Sequence, residues 1–324
     1  MSGEIIPIYS GNLPMNTAAA ISGSGTNFRE ALKVQGKFDI LYENGIIEKK
    51  PFEFSAVVCN KPEAKGLGYA RNREPKIPEV VVSSKDFFDA LGVKPNNEEH
   101  RPEYDSVILD RLEREKHKVD HFALLGWDRK LSSKFIEYYK EKGVFGTNVH
   151  PSRDPINIGG TMGAVQQAFD LGEQKIRSTL QMVDVVLDHG KFIAQSEWVN
   201  TGEALPEGWR KSGMDNEGIL NTFIEWKKQE GKTFETMEEA KKEYCGNLQD
   251  ILKQRGDWVI VPFGLYNNAE EKFGRDKEGN VYSKINSKNW KPLGKWGYQV
   301  DKEGLGEYGK LMKKADELMA EAVA

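Results

Sequence analysis

The residue pattern predicts an α/β fold: a mostly parallel, twisted sheet with helices on both faces, plus a mixed α/β C-terminal extension. Three observations carry that expectation. Short apolar runs of strand length alternate with longer amphipathic runs between residues 17 and 150, the order that gives a parallel sheet wrapped by crossover helices. A glycine turn, Gly23-Ser24-Gly25-Thr26-Asn27, joins the first strand-like run to the first helical run. Past residue 200 the alternation gives way to Lys- and Glu-rich helical periodicity, with short strand-like runs and a terminal helix beyond.

Taken in order, residues 17–22 (Thr-Ala-Ala-Ala-Ile-Ser) read as a buried strand, and Phe28-Arg-Glu-Ala-Leu-Lys-Val starts the first helix. Residues 38–54, with Asn44-Gly45 at the centre, read as a hairpin, because Asn-Gly suits a type I′ turn. Ser55–Cys59 is a second core strand, followed by a polar loop and a short helix holding Arg71 and Arg73; Pro78–Ser84 is a third strand. Residues 87–98 read as a polar connection, and Tyr104–Lys116 as an amphipathic helix with Val107, Ile108 and Leu112 on one face. Asp120–Trp127 and 143–149 give the fourth and fifth strands. Gly159-Gly160-Thr161-Met162 leads into a helix through Asp170. Arg177–Asp188 alternates like a strand, and Lys191–Val199 resumes as one, which leaves Asp188 at the turn between them. Helical periodicity follows at 216–229 and 236–254, short strands at 275–300, and a helix over 306–323.

Composition sets limits on function. The chain has 324 residues, 38% hydrophobic and 30% charged, with a net charge of −4. That balance leaves no basic footprint, so nucleic acid is not an expected partner. Two cysteines, Cys59 and Cys245, are too few for a disulfide framework and suit a reducing compartment. The first residues lack a basic segment before an apolar one, and no apolar run nears the ~20 residues that span a bilayer. A cytoplasmic protein without a membrane partner, monomeric or homodimeric, is the expectation.

Two stretches carry chemistry. A strand followed by glycines and a helix start makes an anion site, because unpaired backbone N–H groups and the helix dipole point at the turn. Gly25, Thr26 and Asn27 are the candidates; without a ligand the same residues are a tight N-cap. Phe28 stands where a third glycine would complete a dinucleotide fingerprint. The second stretch is Asn148-Val-His150-Pro-Ser. On a strand, Asn148 and His150 share one face, and Pro151 forces the chain out of the sheet. An amide and an imidazole at the carboxyl end of a strand suit an oxyanion forming on an attacked carbonyl carbon; a capped loop with a satisfied histidine is the other reading. His117 and His121 straddle a helix end and a strand start, so no metal pair is expected there, nor a metal elsewhere.

Ile21-Ser-Gly-Ser-Gly-Thr-Asn-Phe, Asn148-Val-His150-Pro-Ser and the later Asp188 occur in an order that resembles the formyltransferases using 10-formyltetrahydrofolate, closest to those that formylate glycinamide ribonucleotide. Val58–Leu67 and Leu125-Gly-Trp-Asp-Arg129-Lys-Leu-Ser are similar too. The likeness covers about residues 17–200 and returns faintly at 248–283. It implies a formyltransferase catalytic domain over 1–200, a helical insertion over 201–250 and a C-terminal extension over 251–324 that completes the fold. It implies direct formyl transfer through a tetrahedral intermediate, within purine biosynthesis and one-carbon metabolism. Asn148 and protonated His150 would hold the oxyanion. Asp188 would keep His150 charged or relay a proton. Gly25, Thr26 and Asn27 would hold the substrate phosphate. Arg129, Lys130 and Leu131 would line a pterin groove with the 183–188 loop, including Val183 and Asp184. Asp257, and Arg71 as the nearest substitute for an arginine where Tyr69 stands, would touch the acceptor.

The sequence also departs from the family pattern. Arg153-Asp154-Pro155 replaces Leu-Leu-Pro, His189 intervenes in Asp-Gly-Gly, and Gln181 stands near a family histidine. These leave the acceptor open among glycinamide ribonucleotide, a sugar-nucleotide amine and water, as in a formyltetrahydrofolate hydrolase. A non-catalytic ligand-binding protein is the distant alternative.

Overall fold

The computed structural model describes residues 4–95, 97–152, 154, 163–186, 188–301 and 304–322. Arg153, Pro155, Leu187 and the Gly159–Met162 lead-in lie outside them. The centre of the fold is an eight-stranded sheet. Its strands are β1 (Met15–Ile21), β2 (Phe52–Cys59), β3 (Glu79–Val81), β4 (His121–Leu124), β5 (Phe145–His150), β6 (Thr179–Met182), β7 (Phe192–Gln195) and β8 (Tyr298–Gln299). The spatial order is β8-β7-β6-β5-β4-β1-β2-β3. Pairing is parallel from β3 through β5 and again between β7 and β8. It is antiparallel where β6 meets β5 and β7.

Helices α1 (Thr26–Glu43), α2 (Leu67–Arg71), α3 (Ser84–Ala90), α4 (Arg101–Arg114), α5 (Ser133–Glu141), α6 (Ala164–Asp170), α7 (Asn216–Gln229), α8 (Met237–Leu252), α9 (Trp258–Ala269) and α10 (Gly306–Glu321) surround it. β1 shows why the sheet is covered on both sides. Met15, Ala19 and Ile21 pack into a core with α1, α9 and α10, while Ala18 and Ala20 pack into a second core under α4 and α5. Alternate residues of one strand thus feed opposite cores. A third core joins α6, α7 and α8 around Phe223, Tyr244 and Leu248.

Two sequence expectations are corrected. The 38–54 hairpin is absent: α1 runs on to Glu43, and Asn44-Gly45 ends it. Ile46 N–H donates to Leu41 O at 2.9 Å, and Gly45 is left-handed at φ 69°. That is a Schellman close, which the same Asn-Gly pair serves as readily as a turn. The 87–98 connection starts within α3, which Ser83 caps by accepting from Asp86 N at 3.2 Å.

The C-terminal part closes the sheet. β8 pairs with β7, and residues 273–275 pair with Ile6–Pro7. α7 and α8 are capped by Asp215 and Thr236, each accepting from the backbone N–H three residues on. Between α8 and α9 a π-helical turn, Lys253–Asp257, re-aims the chain so that Asp257 points beneath the start of α1. Among the described residues no helix is long and apolar enough to cross a membrane.

Candidate active site

The carboxyl ends of β1, β4 and β5 open onto one cavity of about 290 Å³, where ligands bind in open parallel sheets. Its lining includes Gly25, Thr26, Asn27, Asn148, His150 and Asp188.

At one end stands the N-terminus of α1. Gly25 takes φ 64°, and a Cβ there would sit 2.6 Å from Gly66 Cα. Only glycine permits both the conformation and the approach. Gly66 N–H donates to Gly23 O at 3.0 Å, so the turn is braced by the loop after β2. The N–H groups of Thr26, Asn27 and Phe28 have no intrahelical acceptor. Asn27 is fixed from below: its Nδ2 donates to Asp257 Oδ2 at 3.0 Å, and Ser178 Oγ donates to the other oxygen. Burial raises the Asp257 carboxyl above its usual range against those two donors. Asn27 Oδ1 and Trp127 Nε1 are buried without a protein partner, and both residues line the cavity. Buried polar atoms are nearly always paired, so the pair marks a place for a polar ligand.

At the other end three residues far apart in sequence meet. Asn148 and His150 lie on one face of β5. Asp188 follows β6 in the turn closed by His189 N–H to Val186 O at 3.2 Å, and takes φ 59°, a conformation Asp tolerates. Gly190 follows because a Cβ there would lie 1.6 Å from Met182 O. Asn148 Nδ2 donates to Asp188 Oδ1 at 3.3 Å, and His150 Nε2 stands 3.8 Å from Asp188 Oδ2. Both His150 and Asp188 are buried, at 7% side-chain exposure each.

The remaining sequence candidates divide. Arg129, Lys130, Leu131, Val183 and Asp184 line a cleft beside Asn148 and Asp188, but it is narrow, about 30 Å³. Leu131, Val183 and Asp184 also line a larger cavity of about 520 Å³, and Arg129 also lines the 290 Å³ cavity. Arg129 is partly buried over the rings of Phe88 and Tyr104, at 4.8 and 5.0 Å, and burial lowers its pKa. Arg71 is outside the cavity lining; it is held by Glu79 through two hydrogen bonds of 2.8 Å. A cation comes instead from Lys253, which lines the cavity with Gln249 of α8. Sequence reasoning missed both. They lie four and eight residues before Asp257, a helical spacing that puts all three on one side. It also missed the contact of Gln181 Nε2 with Asp188 Oδ1 at 3.1 Å. His121 lies away from the cavity, fully buried, with Nε2 3.0 Å from Thr147 Oγ1 and its pKa lowered by burial to about 3. Among the described residues no group of three His, Cys, Asp or Glu is placed to hold a metal ion.

The arrangement can polarise a carbonyl beside a bound anion. Asn148 keeps one amide hydrogen beyond the one given to Asp188, and His150 adds a second donor backed by a carboxylate.

The profile of the formyl transferase family matches residues 15–203. The chain resembles the solved phosphoribosylglycinamide formyltransferase of Coxiella burnetii at 19% identity, covering 89% of this chain and 100% of that one, with a TM-score of 0.55. It resembles that of Anaplasma phagocytophilum at 22% identity, covering 88% and 98%, with a TM-score of 0.52. No curated protein sequence matches the chain significantly.

Proposed function

The chain belongs to the formyl transferase family, and from that premise we propose that it moves the formyl group of 10-formyltetrahydrofolate to the amine of glycinamide ribonucleotide. The observation that carries the reading is the convergence of Asn148, His150 and Asp188 on the cavity that also receives the N-terminus of α1. One end suits a phosphate, the other a carbonyl under attack.

In this reading the substrate phosphate takes the N–H groups of Thr26 and Asn27, with Lys253 adding charge. The amine then faces His150 and Asn148. It attacks the formyl carbon, and the oxygen that becomes negative accepts from the free hydrogen of Asn148 Nδ2 and from His150. Preorganised donors of this kind are worth about 3 kcal/mol each. Asp188 holds His150 charged by proximity of opposite sign and takes part in moving the amine proton to the leaving nitrogen. Leu131, Val183 and Asp184 form the wall for the folate ring.

The test is formyl transfer by the purified protein from 10-formyltetrahydrofolate to a panel of amines, following tetrahydrofolate release. Glycinamide ribonucleotide is expected to turn over fastest. Release without any amine selects a hydrolase, and faster transfer to another phosphorylated amine reassigns the acceptor.

A further inference from the structure

We propose that Gln181 is a positioning residue that dictates which oxygen of Asp188 does the work. The proposal rests on the formyl-transfer reading above. Gln181 sits on β6 at 1% exposure, and its Nε2 donates to Asp188 Oδ1 at 3.1 Å. Asn148 Nδ2 donates to the same oxygen at 3.3 Å. An oxygen with two in-plane lone pairs is filled by two such donors. Oδ2 is the oxygen that faces His150 Nε2, at 3.8 Å.

The amide cannot turn over, because Oε1 would then face a carboxylate. A carboxamide also donates at every accessible pH, unlike an imidazole, which titrates near neutrality. Gln181 and Asn148 therefore form a clamp that does not titrate. The proton lost by the attacking amine passes to Oδ2 and from there to the leaving nitrogen, so the carboxylate ends as it began. Gln181 Oε1 is buried without a protein partner, and the residue lines the narrow cleft at the folate end. That oxygen is set to accept from a water or an N–H group placed there.

The experiment compares the full chain with Gln181→Leu, Gln181→Glu and Gln181→His, measuring kcat and KM for both substrates across pH. Gln181→Leu is expected to lower kcat at least tenfold with the KM of the amine within twofold. Gln181→His is expected to recover part of that loss and to add an ionisation between pH 5 and 8 that the parent lacks. Gln181→Glu sets a second carboxylate against Asp188 and is expected to move the optimum to lower pH. Unchanged kcat and pH profile in folded Gln181→Leu and Gln181→His overturn the proposal. A parent that transfers formyl to no amine overturns the functional reading instead. A crystal structure of Gln181→Leu then still judges the clamp: the Asp188 carboxylate rotated off its present position supports it, and an unmoved one overturns it.

Discussion

Asn27 Nδ2 lies 3.0 Å from Asp257 Oδ2, a hydrogen bond that ties the first turn of α1 to the junction between α8 and α9. The carboxylate is 4% exposed, and burial raises its pKa. A carboxyl whose folded pKa is raised binds its proton more tightly when folded, so folding loses stability as pH rises through the window between the unfolded and folded values. Asp257→Asn removes that ionisation. The stability of the variant relative to the parent is expected to grow with pH above the ordinary carboxylate range and to be flat below it. Urea denaturation from pH 3 to 8 measures this. Asp257→Ala leaves Asn27 and Ser178 without their acceptor and is expected to cost about 2 kcal/mol or more at neutral pH.

In the proposed reaction Asn148→Ala removes one donor to the developing oxyanion. A kcat lower by about 10²- to 10³-fold is expected, with modest change in KM. Steady-state kinetics at saturating folate decide it; an equal loss spread into KM alone would place Asn148 in ground-state binding.

Lys253 lines the cavity, at what the proposed reading makes its phosphate end, and is bonded only loosely, at 3.4 Å, to Asp250. Lys253→Ala is expected to raise the KM for the phosphorylated amine about tenfold and leave kcat nearly unchanged. The same substitution should not alter the KM for folate.

Gly146 on β5 packs against Val183, part of the proposed folate wall: a Cβ there would meet Val183 Cγ2 at 3.0 Å and Phe122 O at 3.3 Å. Gly146→Ala therefore pushes Val183 outward. The KM for 10-formyltetrahydrofolate is expected to change several-fold while the KM for the amine holds, as read from paired titrations.

Gly45 ends α1 at φ 69° with nothing within 4 Å of its missing Cβ. Gly45→Ala then carries only backbone strain, about 1 kcal/mol, with activity intact. Thermal denaturation distinguishes this from a neutral change.

Much of this was legible in the chain itself. Every residue of β1 is fully or nearly buried, and its small and apolar side chains say so before any coordinates. The glycine turn before α1 and the Asn-x-His-Pro-Ser stretch announced a helix N-terminus with free amides and an amide–imidazole pair at a strand end, because their chemistry is local. Asn44-Gly45 was not legible, since the same pair closes a hairpin or a helix, and only the packing of Phe38 and Leu41 into the core carries α1 up to it. Which oxygen of Asp188 faces His150, which amide fills the other, and that Lys253 rather than Arg71 reaches the cavity depend on strands and helices meeting across long sequence separations. Local residue types fixed the elements and the kind of chemistry. The pairings within the site were decided by the sheet order and by the π-turn before Asp257, which local sequence does not encode.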